Sequence, residues 1–118
     1  MALPFVTAIV VAAGNSTRMG RNKLLLSVGG EPLIVKTVAA FVNAESVRDI
    51  VVVTSSDDVK KAITEKQFLK NIMFADGGNC RQESVRNGFY AVSPNTEIVC
   101  VHDGARPFVL ADDIDSVN

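Results

Sequence analysis

Four short runs rich in β-branched residues, separated by helical patterns, constrain the fold of this chain more than any other feature. The first run, residues 6–12, is apolar throughout, which is typical of a strand buried on both faces. Further strands are predicted at residues 50–54, 71–75 and 98–101, of which 71–75 has the weakest pattern. Strands that alternate with helices favour right-handed βαβ units, so the sequence predicts an α/β fold with a mostly parallel sheet.

Helical patterns occupy the segments between these runs. A turn at residues 28–32 precedes the first helix, and residues 55–58 offer N-cap oxygens and acidic side chains to the second. Asn79 and Gln82 have the spacing of a capping box at the start of the third helix. The residues expected to face the core are Ile34, Val38, Phe41, Val42, Val59, Ala62, Ile63, Val85, Phe89 and Val92.

The loop that follows the first run predicts an anion-binding site. Gly14 and Gly20 bracket small residues, and glycine lets backbone N–H groups approach a ligand closely. Arg18 and Lys23 add permanent positive charges, and a guanidinium group binds phosphate through two parallel hydrogen bonds. Open α/β sheets bind ligands beyond the carboxyl ends of their strands. We therefore expect a nucleoside triphosphate here, and an ordinary turn with two surface cations is the alternative.

This loop matches neither of two familiar phosphate-binding motifs. Arg21 follows Gly20 where a P-loop requires lysine, and Ser16 stands where the dinucleotide fingerprint requires its second glycine. The nucleotide prediction therefore depends on two further loops, at residues 77–84 and 102–107. In a parallel sheet both would lie at the same edge as the first loop, and this convergence is the strongest residue-level argument for a binding site.

The second of these loops offers a surface for a nucleobase. Gly77 and Gly78 have no side chains, so a flat base can lie against the backbone, where exposed amides and carbonyls would read its edge. A simple tight turn is the alternative. Ser84 falls in the first turn of the following helix, from which its hydroxyl would reach the same ligand. The alternative for Ser84 is a solvated helix residue.

The third loop adds a carboxylate and a cation. Asp103 lies at the end of a strand and suits Mg²⁺, which takes one or two carboxylates together with phosphate oxygens and waters. An ion pair between Asp103 and Arg106 that holds the loop is the alternative. We interpret His102 as a structural residue. Its catalytic alternative would be a general base, which is not needed if the nucleophile is already an anion.

Composition limits the classes of protein to consider. The 118 residues, 47% of them hydrophobic, suffice for one domain with a modest core. A net charge of -1 gives no reason to expect nucleic acid or a membrane surface as a partner. Residues 1–4 show no secretory signal, and no apolar run is long enough to span a bilayer. Cys80 and Cys100 lack metal-ligand spacing, which favours reduced thiols in a cytoplasmic protein.

Three motifs in order along the chain carry a family resemblance. They are Ala12, Ala13, Gly14, Arg18, Met19, Gly20 and Lys23; then Gly77, Gly78, Arg81, Gln82, Ser84, Val85, Asn87 and Gly88; then residues 101–109. The first resembles the signature loop of nucleotidyltransferases with the sugar-nucleotide transferase fold. Together the three resemble the 2-C-methyl-D-erythritol 4-phosphate cytidylyltransferases. The resemblance implies a Rossmann-like three-layer α/β/α fold with a mostly parallel sheet.

The resemblance also implies a reaction and a set of roles. CTP and methylerythritol phosphate would give the CDP-linked alcohol and pyrophosphate, with Mg²⁺ or another divalent cation. Arg18 and Lys23 would be catalytic and stabilise the pentacoordinate transition state, while Asp103, a metal ligand, and Arg106 would lie where the substrate and the metal meet. The implied nucleotide-binding residues are Ala12, Ala13, Gly14, Gly78, Asn79 and Ser84. The implied partners are CTP, a sugar-alcohol phosphate and a second subunit of a homodimer.

Departures from the family pattern leave alternatives open. Asn79 stands where the family often has an acidic residue, which matters only if the contact uses the side chain. Family chains are roughly double this length, so the resemblance implies that residues 1–118 are the nucleotide-binding part of a single domain truncated at its C-terminus. The alternatives are a ribitol 5-phosphate cytidylyltransferase, a molybdenum-cofactor guanylyltransferase and a non-catalytic nucleotide-binding or assembly module.

Overall fold

The computed structural model describes residues 4–12, 27–28 and 30–103. Its elements, in chain order, are β1 (Val6–Val11), β2 (Ser27–Val28), β3 (Glu31–Pro32), α1 (Leu33–Asn43), β4 (Asp49–Val53), α2 (Asp57–Glu65), β5 (Asn71–Ala75), α3 (Arg81–Ala91) and β6 (Ile98–Asp103). None of these helices is long and apolar enough to cross a bilayer. The sequence also predicts the start of a helix at residues 110–118, which lie outside the described residues.

The four longer strands form one parallel sheet with the order β5-β4-β1-β6. In register, Val11 lies opposite both Val53 and Asp103, and Val53 lies opposite Ala75. The carboxyl ends of all four strands are therefore level, as the sequence predicts. The chain runs outward from β1 to β4 and β5 and then returns to the other side of β1 with β6, which is the reversal of strand order that creates a ligand crevice in open α/β sheets.

Helices cover both faces of this sheet, which gives three layers. One face, with Val10 of β1 at its centre, packs against α1 and α2. The other face, with Ile9 of β1 at its centre, packs against α3. The strands β1 and β4 are buried along their whole length, because a parallel sheet with helices on both faces leaves its central strands no solvent-facing side.

The predicted strands are confirmed, with one informative difference in length. The weakest prediction, residues 71–75, coincides with β5. The last strand continues two residues past the predicted end at residue 101, because His102 and Asp103 pair with Val10 and Val11 of β1. Asp103 is therefore the last residue of a strand and is held in a fixed register beside β1.

The inward faces of α1 and α2 are also confirmed. Ile34, Val38 and Phe41 are fully buried, and so are Val59 and Ile63. The remaining two predicted residues, Val42 and Ala62, are partly buried against the same cluster. The helix α2 begins as predicted, since the Ser56 hydroxyl accepts the Val59 N–H at 3.3 Å and Asp57 and Asp58 occupy the first turn.

Two predictions for α3 are wrong. Phe89 is 46% exposed instead of buried, because Gly88 occupies the position that faces the sheet, between Ile9 and Val53. A Cβ atom at Gly88 would lie 2.8 Å from the Ile9 Cγ2, so glycine lets the helix approach the strands. The capping box is also absent: the N-cap is Cys80, which makes no side-chain cap.

Candidate nucleotide-binding site

The carboxyl edge of the sheet gathers the predicted site residues that the structure describes. Ala12 directly follows β1, Asp103 ends β6, and Gly78 and Asn79 follow β5. With a strand spacing of about 4.8 Å, the ends of β5 and β6 lie about 14 Å apart, with β4 and β1 between them. The arrangement is an elongated edge along which an extended ligand can contact several loops.

Residues 76–80, which we term the glycine loop, are held by three side chains, one from the β4–α2 connection and two from the start of α3. The Gly77 N–H donates to the Ser55 hydroxyl at 3.0 Å, the Gly78 N–H to the Ser84 hydroxyl at 2.9 Å and the Asn79 N–H to the Glu83 Oε2 at 2.6 Å. The expectation that exposed amides of this loop read a base is therefore wrong. All three donors are engaged within the chain. The carbonyls of Asp76, Gly77 and Cys80 also accept hydrogen bonds within the chain, so the main-chain acceptors that the loop can offer a ligand are the carbonyls of Gly78 and Asn79.

Gly78 is required by the approach of the glycine loop to α3. A Cβ atom at this position would lie 2.3 Å from the Glu83 Cβ and 3.0 Å from the Ser84 backbone nitrogen. Such distances are far below van der Waals contact, so any larger residue would push the loop away from the helix. Glycine is needed at this position for packing of the loop against α3, and the flat surface beside it is a consequence of that packing.

Ser84 lies beneath the glycine loop. It is only 2% exposed, so the alternative of a solvated helix residue is wrong. Its oxygen accepts the Gly78 N–H. Any effect of Ser84 on a ligand at this edge therefore includes its effect on the position of Gly78.

A shallow polar depression of about 260 Å³ adjoins the glycine loop, lined by Gly77, Gly78, Asn79, Glu83, Arg86 and Asn87. The Asn87 side-chain amide donates to the Asp76 carbonyl at 2.9 Å, which holds the start of the loop. Sequence reasoning missed Ser55, Glu83 and Asn87. The spacing of Glu83 and Asn87 on one helical face was a usable signal, whereas Ser55 lies 22 residues from its partner and belongs to no local pattern.

Ala12 contributes through its backbone alone. Its side chain is 3% exposed and belongs to the core cluster beneath α1 and α2. Its N–H donates to the Val53 carbonyl at 2.8 Å, which extends the ladder between β1 and β4 by one residue.

The last two residues of β6 have different roles: His102 packs in the structure, and Asp103 is a candidate metal ligand. The His102 ring meets the buried Phe41 ring edge-on, with centroids 4.8 Å apart, which confirms its structural role. Asp103 is exposed and faces the opposite side of the sheet. Among residues 4–12, 27–28 and 30–103 it joins no cluster of three potential metal ligands. Its carboxylate suits a cation such as Mg²⁺ whose other ligands are phosphate oxygens and waters.

The remaining predicted site residues lie outside the described residues. They are the catalytic candidates Arg18 and Lys23, the nucleotide-binding candidates Ala13 and Gly14, and Arg106. Their roles stay predictions. Cys80 is exposed and Cys100 is partly buried, and burial raises the pKa of the Cys100 thiol.

Solved structures that share this fold include two enzymes that form cytidine-nucleotide products. The 4-diphosphocytidyl-2C-methyl-D-erythritol synthase from Anaerococcus prevotii superposes with a TM-score of 0.80 at 32% identity, covering 94% of this chain and 48% of that one. A CMP:2-keto-3-deoxy-manno-octonic acid synthetase solved with CTP shares the fold at a TM-score of 0.72 and 16% identity, over 98% of this chain and 45% of its own. The fold is thus the Rossmann-like three-layer nucleotidyltransferase fold.

The sequence comparison defines the family more closely. The 2-C-methyl-D-erythritol 4-phosphate cytidylyltransferase family model matches residues 6–118, and the chain belongs to that family. Proteins of that name from Caldanaerobacter subterraneus and Geobacillus thermodenitrificans are 42% and 46% identical over 110 and 107 residues. These matches cover 88% and 86% of this chain but 48% and 46% of the relatives. The chain spans about half the length of the curated relatives it matches.

Proposed function

We propose that the protein containing this chain transfers a cytidylyl group from CTP to 2-C-methyl-D-erythritol 4-phosphate, giving CDP-methylerythritol and pyrophosphate. The observation that carries the proposal is membership of the cytidylyltransferase family across residues 6–118. The position of the glycine loop at the carboxyl edge of the sheet supports it, since open α/β sheets bind their ligands there.

In the proposed reaction, an oxygen of the acceptor phosphate forms a bond to the α-phosphorus of CTP. The bond from that phosphorus to the bridging oxygen of the β-phosphate breaks, and pyrophosphate leaves with the electron pair. The nucleophile is already an anion, so the protein supplies positioning and charge stabilisation rather than a general base. We assign the charge stabilisation to Arg18 and Lys23, and backbone contacts with the nucleotide to Ala12, Ala13 and Gly14.

The glycine loop is proposed to bind the cytosine base through Gly78 and Asn79, with Ser84 beneath them. Because the amides of residues 77–79 are engaged, the loop offers carbonyl acceptors. The exocyclic amino group of cytosine is a donor, whereas uracil carries an acceptor oxygen at the same position. This chemistry favours CTP over UTP.

A divalent cation, Mg²⁺ by preference, is proposed to bind at the end of β6. Asp103 would hold it with phosphate oxygens and waters as the other ligands, and Arg106 would lie beside the acceptor phosphate. When bound, the cation supplies neutralisation of phosphate charge. We further propose that the full-length protein is a homodimer whose other partners are CTP and the sugar-alcohol phosphate.

The test is a transfer assay on the full-length protein with a divalent cation. Pyrophosphate release is measured with CTP, UTP and GTP in turn, and with methylerythritol phosphate or ribitol 5-phosphate as the acceptor. We expect release that requires both CTP and methylerythritol phosphate. Faster release with ribitol 5-phosphate or with GTP would contradict the proposed substrates, and no release with any pair would contradict an enzymatic role.

A further inference from the structure

The glycine loop is held by two side chains to which the proposed reaction assigns no role. Ser55 lies in the β4–α2 connection, and Glu83 lies in the first turn of α3. Each accepts a hydrogen bond from one backbone N–H of the loop, at Gly77 and at Asn79. We propose that Ser55 and Glu83 are positioning residues that set the conformation in which the loop receives the nucleobase; this inference rests on the proposed function.

Ser55 is itself held in place by its neighbours. The Thr54 N–H donates to the Ala75 carbonyl at 2.8 Å, which extends the ladder between β4 and β5 up to the loop. On its other side, the Ser56 N–H donates to the buried Thr54 hydroxyl at 3.1 Å, and the Ser56 hydroxyl caps α2. The Ser55 hydroxyl also lies 3.5 Å from the Gly77 carbonyl. It therefore ties the start of the loop to a rigid neighbouring strand.

Glu83 holds the other end of the loop. Its carboxylate accepts the Asn79 N–H at 2.6 Å, a short charge-assisted hydrogen bond, and a negative charge in the first turn of a helix is favoured by the helix dipole. The chain from Glu83 Cβ outward passes directly beside Gly78, where a Cβ atom would collide. Glu83 therefore sets both how closely the loop approaches α3 and the position of the Asn79 amide.

Loss of these contacts should weaken nucleotide binding and leave the rate of the chemical step unchanged. The loop follows β5, two strands from β1, so a loosened loop weakens nucleotide binding without moving the groups that follow β1. Loss of binding shared by the ground state and the transition state raises KM and leaves kcat unchanged. We expect KM for CTP to rise about threefold to tenfold in Ser55→Ala and about tenfold to a hundredfold in Glu83→Ala.

Matched controls exist at the opposite edge of the sheet. The Glu97 carboxylate accepts the Phe5 N–H at 3.1 Å, and the Ser93 hydroxyl accepts the Asn95 N–H at 3.3 Å. Glu97→Ala and Ser93→Ala each remove a side chain that accepts a backbone N–H, but far from the glycine loop. They should leave KM for CTP unchanged. Glu83→Gln and Ser55→Thr keep an acceptor oxygen and should restore most of the affinity.

The experiment combines steady-state kinetics of the full-length protein with amide hydrogen exchange. Faster exchange at Gly77 and Asn79 in the alanine variants, together with raised KM, unchanged kcat and rescue by the conservative variants, is the expected result. Unchanged exchange at both amides would overturn the inference whether or not the wild type transfers a cytidylyl group. Faster exchange with an unchanged KM, or an equal rise of KM in the controls, would overturn it as well. A wild type that transfers nothing would overturn the proposed function instead.

Discussion

The two edges of the sheet are built in different ways. At the amino edge, main-chain hydrogen bonds close the connections: the Arg48 N–H donates to the Val6 carbonyl at 2.8 Å and the Glu97 N–H to the Phe5 carbonyl at 2.8 Å. Side chains such as Glu97 and Lys70 add further contacts there. At the carboxyl edge, the glycine loop is held by side chains of Ser55, Glu83 and Ser84. The first arrangement continues the regular structure, and the second holds an irregular loop.

This difference indicates which edge of the sheet can carry a function. Main-chain closure depends little on residue type, so these main-chain contacts constrain the sequence weakly, and the side-chain contacts of the amino edge contribute to stability. Side-chain acceptors let a loop leave the regular ladder while its amides stay hydrogen-bonded. The cost is that single substitutions can disturb the loop. We expect changes at the carboxyl edge to alter ligand binding and catalysis, and changes at the amino edge to alter stability.

Two lysines, Lys23 with its proposed catalytic role and Lys70 at the amino edge, give the largest predicted contrast. Lys23→Ala should lower kcat by about a hundredfold to a thousandfold, because it removes a positive charge assigned to the transition state. Lys70 precedes β5 at the amino edge, and its ammonium group donates to the Phe41 and Ala44 carbonyls near the end of α1. Lys70→Ala should leave kcat intact and lower the free energy of unfolding by about 1.5–3 kcal/mol. Undiminished cytidylyl transfer by the Lys23→Ala variant would contradict the proposed mechanism.

Two glycines of the α3 region give the next contrast. Gly78→Ala should weaken CTP binding about tenfold to a hundredfold while the thermal midpoint changes little, because the loop moves away from Glu83. Gly88→Ala places a Cβ atom against Ile9 and Val53 of the core and should lower the free energy of unfolding by about 1–3 kcal/mol. Calorimetric titration and chemical denaturation separate the two effects. A Gly78→Ala protein that binds CTP normally would contradict the proposed role of the loop.

The amino edge allows a smaller test. The hydroxyls of Thr7 and Thr96 lie 2.6 Å apart and share a hydrogen bond. Thr96→Val should lower the free energy of unfolding by about 1 kcal/mol, since the buried Thr7 hydroxyl loses this partner. The affinity for CTP should not change. A weaker affinity for CTP would show that the two edges are coupled, and would contradict the separation of stability and binding between them.

The cysteines give the smallest contrast. Cys80 is exposed beside the glycine loop, whereas Cys100 is partly buried within β6. Burial raises the pKa of the Cys100 thiol, so less thiolate is present near neutral pH and alkylation is slower. Mass spectrometry after brief iodoacetamide treatment at pH 7.5 should find Cys80 modified before Cys100, with Cys100 gaining reactivity as the pH is raised. Modification of Cys100 first would contradict its described burial.

Periodicity predicted the fold well because the signals were local. The buried runs at β1 and β4 and the inward residues of α1 and α2 are strongly patterned, and β5 was located to the residue. Phe89 was misplaced because a pattern of apolar residues cannot anticipate that Gly88 faces the sheet. The end of β6 was missed because His102 and Asp103 are polar, and their pairing with β1 is a long-range contact.

The candidate site was predictable in place but not in detail. Strand ends with glycine and polar residues located Gly78, Asn79, Ser84 and Asp103 at one edge. The direction of each loop amide depends on partners such as Ser55, which lies 22 residues away along the chain and becomes a neighbour through strand pairing. A motif reports which residue types occur together. It does not report which of their polar groups are already engaged within the chain.

The most direct test of this account is a CTP titration followed by the backbone amide resonances of the protein, with Mg²⁺ present. The account predicts that the amides of Gly77, Gly78 and Asn79 shift with CTP and much less with UTP, while those of Ser93, Thr96 and Glu97 stay unchanged. Equal shifts with both nucleotides, or shifts confined to the amino edge, would contradict the assignment of the glycine loop to the cytosine base.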